Sequence, residues 1–165
     1  MVKITSWEKT FLVSFSLFFL IPFFLLYVFD FSFLTSFVAG IEAFFLGFFV
    51  PVFLDGSTIF AGSISFDIVI ECTGAVMFVL LFALLYSTDA PKKIFFLLLF
   101  APVLFVFNLL RLFLTLIMGV FYGVDVLNVV HFLLWFVDAG VVFLLWLHAM
   151  KIKPASVIAR LRKTL

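Results

Sequence analysis

Cysteine is nearly missing from this chain: its 165 residues contain one, Cys72. A single thiol excludes an intrachain disulfide and any C-x-x-C redox or metal motif. Charge is scarce as well, at 12% of residues against about 25% in soluble domains. No D-x-x-D motif or acidic cluster occurs, and Asp55 and Asp67 stand alone. Neither a metal nor a cofactor is expected, and no nucleic-acid partner. Internal repeats and low-complexity linkers are missing too, so residues 1–165 read as one membrane domain. The apolar run after Lys9 lacks a small-residue cleavage pattern, which makes it a retained span rather than a signal peptide.

What remains is overwhelmingly apolar. Hydrophobic residues make up 67% of the chain, and apolar runs of about 20 residues recur along it. The fold class is therefore an all-α integral membrane protein with four to five transmembrane helices. The runs cover 11–29, 33–53, 72–86, 94–121 and 131–150. The 29 phenylalanines need no special site, because lipid accepts any large apolar side chain.

Basic residues cluster beside the ends of these runs and mark the cytoplasmic side. Lys151, Lys153, Arg160, Arg162 and Lys163 make 151–165 a basic cytoplasmic tail. Val157, Ile158, Leu161 and Leu165 give that tail an amphipathic face suited to the inner membrane surface. Alternation then puts the 122–130 loop outside, the Lys92–Lys93 loop inside, and Cys72 outside. The Lys3 and Lys9 end belongs inside by the same rule, which conflicts with two complete crossings before Cys72. Either 33–53 is a re-entrant or interfacial segment or the N-terminus lies outside; Glu42, Gly40, Gly47 and Pro51 weaken 33–53 as a span and favour a non-crossing segment with four full spans.

Before the cysteine the pattern changes from helical runs to period 2. Ile64, Phe66, Ile68, Ile70 and Cys72 alternate with Ser63, Ser65, Asp67 and Glu71, which reads as a half-buried strand. Asp55-Gly56 and Ala61-Gly62 are turn signals, so 57–61 and 63–70 form a small extracytoplasmic β-hairpin that delivers Cys72 to a helix start. Thr73 can cap that helix and Gly74 permits close approach. A helix N-terminus lowers a thiol pKa, although a lone cysteine is more often a buried space-filler. Glu71 beside it either meets substrate or ends the strand.

Arg111 lies inside an apolar run, with Asn108 and Thr115 on the same helical face. A cation there faces the protein interior and marks a functional site by default, snorkelling being the ordinary alternative. It falls roughly 10 Å below the outer end of its run. His131 opens the last run, and Asp138 follows on the same face. A buried Arg111–Asp138 pair is expected at that depth, with Glu42 as the other candidate partner. Cys72, Arg111 and His131 thus reach one outer layer from three elements. A thiolate, an imidazole and a cation are the set that acyl transfer needs.

The residues ECTG at 71–74, NLLR at 108–111 and His131 heading the last run resemble the exosortase/archaeosortase family, over roughly 52–150. The resemblance implies a membrane-embedded cysteine peptidase/transpeptidase of sortase type, in a short form. It implies Cys72 as nucleophile, Arg111 as oxyanion or positioning residue and His131 as proton-transfer residue; the residues themselves add Asn108, Asp138, Glu71 and Thr73 as supporting candidates. Its implied partners are substrate proteins ending in a short motif, a transmembrane helix and a basic cluster, with a membrane lipid as acceptor. The implied location is the cell membrane, multi-pass, with the site on the extracytoplasmic side. The competing reading is a non-enzymatic small membrane subunit, such as the substrate-binding component of a transporter.

Overall fold

A computed structural model describes residues 6–62 and 64–151. Lys3 and the predicted amphipathic tail lie outside the described residues. The order is α1 (Ser6–Val28), α2 (Ser32–Leu46), β1 (Val52–Asp55), β2 (Thr58–Ala61), β3 (Ile64–Asp67), a 3-10 turn (Ile70–Thr73), α3 (Ala75–Ser87), α4 (Lys93–Tyr122) and α5 (Val124–Ala149). The chain is an all-α membrane protein carrying a small sheet. Three helices, α1, α4 and α5, are long and apolar enough to cross a membrane, and α2 and α3 are shorter apolar helices. α4 extends about 45 Å and α3 only about 20 Å at the helical rise.

The pairing of rings fixes the helix directions. Phe18 packs on Phe82 and Tyr86 while Tyr27 reaches Glu71, so α1 is antiparallel to α3. Gly74 meets Asn108 and Tyr86 meets Lys93, so α3 is antiparallel to α4. Phe37 stacks on Phe105 and Phe45 packs on Phe113, so α2 is parallel to α4. Helices α1 and α2 therefore both run toward the sheet, in series. At their junction Asp30 Oδ1 accepts the Ser32 N–H at 2.8 Å. The 33–53 stretch does not return, and that removes the conflict between the basic N-terminal end and Cys72. Its last residues leave the helix at Leu46 and enter β1.

The sheet corrects the hairpin. Three antiparallel strands form a meander in the order β1-β2-β3, with Asp55 opposite Thr58 and Ala61 opposite Ile64. Gly56 and Gly62 take positive φ in the two turns, where the sequence signals them. β1 escapes the period-2 test because Val52, Phe53 and Leu54 are all apolar and continue the preceding run. Phe53 is 67% exposed and packs on Phe60 of the neighbouring strand.

The second correction concerns the 122–130 segment. No loop separates the last two helices; Gly123 alone joins them, with φ +91°. Gly119 makes this turn tight, since a Cβ there would stand 2.6 Å from Leu127 Cδ1. His131 consequently sits about 10 Å down α5 rather than at its head. Two apolar clusters hold the bundle: one joins α2, the sheet and the C-terminal half of α4, the other joins α3, α4 and α5 around Leu81, Leu85, Leu104 and Val142.

Candidate active site

Cys72 lies in the 3-10 turn, before α3 rather than in it, and is half-buried. Gly74 separates turn from helix at φ +83°, a conformation open to glycine at little cost. A Cβ on Gly74 would stand 3.1 Å from Asn108 Cβ and Cγ, so the glycine also lets α4 approach. Asn108 uses that proximity: its Nδ2 donates to the Cys72 carbonyl at 2.8 Å. Thr73 is buried, its hydroxyl donating to Ile70 O at 2.6 Å and accepting the Ala75 N–H at 3.4 Å. Every backbone restraint on the cysteine thus comes from its own turn or from α4.

Burial pushes the Cys72 thiol above its usual value. A hydrogen bond with the Val69 backbone and the Arg111 charge pull against that rise, while the Glu71 and Asp67 charges add to it. The expected helix-dipole lowering does not prevail. A 3-10 turn and a left-handed glycine stand between the thiol and the first α-helical residue, and the dipole acts within its own first turn.

The thiol opens into a cavity of about 300 Å³ between β3 and the head of α5. Ser65, Asp67, Thr115, Asn128 and His131 provide its polar lining beside Cys72, with Phe66, Leu116 and Leu127 among the apolar walls. Cys72 and His131 therefore share one space. His131 Nε2 accepts the Trp135 indole N–H at 3.1 Å. A neutral imidazole accepting at Nε2 carries its proton on Nδ1.

Arg111 is 4% exposed and lines a second cavity, of about 140 Å³, between α3, α4 and α5. Its NH1 donates to Asp138 Oδ2 at 2.6 Å, giving the buried ion pair that their matching depth had suggested. Arg111 Nε and NH2 and Asp138 Oδ1 lack hydrogen-bond partners. Glu42 is 1% exposed and its Oε2 is also unpartnered. Arg111 is the electrostatic neighbour shared by Glu42, Cys72, His131 and Asp138, so its charge links both cavities. Glu71 lines the Arg111 cavity and accepts the Tyr27 hydroxyl, the side-chain bond that ties α1 to the site.

Trp135 and Tyr27 escaped the sequence reading. Trp135 was findable, standing four residues after a histidine on a helix. Tyr27 carries no local signal, because its partner lies 44 residues away. Among the described residues no group of three or more His, Cys, Asp or Glu is arranged to hold a metal ion.

Three helices long and apolar enough to cross a membrane, with a thiol and an imidazole lining one cavity and a guanidinium lining the next, define a multi-pass membrane protein. The transmembrane exosortase family matches residues 4–150, nearly the whole chain, and this protein belongs to that family. Membership supports a membrane transpeptidase- or protease-like role in general. No curated protein and no solved structure matches the chain.

Proposed function

We propose that this protein is a membrane cysteine transpeptidase. Its substrates are proteins with a C-terminal sorting signal, cut near the outer membrane face. The observation that carries the proposal is that Cys72 and His131 line one cavity while the Arg111 charge acts on both.

The resting thiol is neutral, so attack on the scissile carbonyl is accompanied by transfer of the Sγ proton to His131. Turning Trp135 away on substrate binding frees Nε2 for that proton. The Arg111 guanidinium, which Asp138 holds in the adjacent cavity, stabilises the developing oxyanion through its charge, the same charge that already acts on Cys72. Collapse breaks the C–N bond, His131 returns the proton to the leaving amine, and a thioester to Cys72 remains. An acceptor amine, such as that of a lipid head group, then attacks the thioester and releases the thiol.

Cys72→Ala should abolish processing of a co-expressed protein bearing motif, transmembrane helix and basic cluster, while the enzyme stays in the membrane. Trapping the thioester as a Cys72 adduct detectable by mass spectrometry is the direct test. Normal processing by Cys72→Ala would end the proposal.

A further inference from the structure

Strand β3 is an edge of the sheet: among the described residues it pairs only with β2. Four consecutive residues, Ser65, Phe66, Asp67 and Ile68, line the cavity that holds Cys72 and His131. Consecutive side chains of a strand point to opposite faces. All four can border one cavity only where the cavity runs along the strand's edge.

The hydrogen-bond parity shows what that edge offers. The Ile68 N–H donates to Ser57 O at 3.0 Å, so Ile68 faces β2. Phe66, opposite Ile59, shares that parity, while Ser65 and Asp67 occupy the alternate positions, opposite Phe60 and Thr58. In an antiparallel ladder, residues of alternate parity direct their N–H and C=O away from the partner strand. The backbone groups of Ser65 and Asp67 therefore point into the cavity beside the thiol. An unpaired edge is a ready template for an added strand, and β-strand addition is an established mode of peptide capture.

We infer that an extended peptide segment of the substrate adds to β3 as a fourth strand, through the backbone groups of Ser65 and Asp67, and so brings its scissile carbonyl to Cys72. The inference rests on the transpeptidase reading and adds the way substrate is held. Recognition by main-chain pairing fixes the direction and register of the peptide, while the cavity walls sort its side chains. The acidic Asp67, whose Oδ1 already accepts from Ser57 and Thr58, stays at the edge of that groove.

Cys72 is the chain's sole thiol, so alkylation reads out at one site. The full-length protein in detergent micelles is treated with iodoacetamide and with a capped pentapeptide chloromethyl ketone of alternating valine and threonine. Two further versions of the pentapeptide carry N-methyl groups on amides of one parity or the other. Strand pairing predicts that methylation of one parity slows labelling by about tenfold or more, and that the other leaves it within about threefold. Ser65→Pro, which removes an N–H that β2 does not use, should erase the difference while iodoacetamide labelling persists. Equal effects of both parities, or no labelling by any peptide, overturn the inference and leave the nucleophile reading intact. Failure of iodoacetamide itself to reach Cys72 overturns both.

Discussion

Removing the carboxylate from Asp138 tests the electrostatic frame of the site without relying on any activity. In Asp138→Ala the guanidinium of Arg111, 4% exposed, loses its one hydrogen-bonded counter-charge. Its Nε and NH2 have no other partners to fall back on. Breaking a buried ion pair on one side costs about 3–5 kcal/mol, and an uncompensated arginine at the centre of a membrane helix costs about 2.5–3.5 kcal/mol on insertion scales. The expected destabilisation is about 3 kcal/mol, or roughly a hundredfold in the folding equilibrium. Titration with SDS in mixed micelles, followed by tryptophan fluorescence, measures it. The double variant Arg111→Met/Asp138→Leu removes both charges and should return to within about 1 kcal/mol of the parent. A single variant within about 0.5 kcal/mol of the parent would refute the reasoning, and so would a double variant as unstable as the single.

Gly74→Ala should destabilise by roughly 1–3 kcal/mol, since it imposes a strained positive φ and crowds Asn108; the same titration reports it, with a changed alkylation rate at Cys72. That rate should keep rising with pH beyond the ordinary thiol range, because burial raises the Cys72 pKa and leaves little thiolate near neutrality. Arg111→Met removes a contribution that favours the thiolate, so alkylation at a fixed pH should slow further. Trp135→Phe frees His131 Nε2 and should shift the pH profile of processing without abolishing it. Reporter fusions after residues 56 and 90 should read outside and inside; an inside signal at 56 would reverse the assigned sidedness.

By itself the sequence determined that this chain lives in a membrane, because too few charges and too many apolar residues leave no other solvent for it. It also located the two turns at Gly56 and Gly62, where turn chemistry is local, and the shared face of Asn108, Arg111 and Thr115, where helical period is local. Cys72, Arg111 and His131 stood out for a related reason: a polar group in an apolar run is costly and conspicuous. Depth and partnership were decided only by the tertiary structure. Lipid is as apolar as leucine, so an apolar run reads alike whether it crosses, ends halfway or packs inside. That is why the lone Gly123 between α4 and α5 and the apolar strand β1 were not legible, whereas Glu42, Gly40, Gly47 and Pro51 did mark 33–53 as a stretch that does not cross back. The two cavities, one with Cys72 and His131 and one with Arg111, Asp138 and Glu71, likewise arise where α3, α4, α5 and the sheet meet. Periodicity names the face a residue occupies; only packing says what stands opposite.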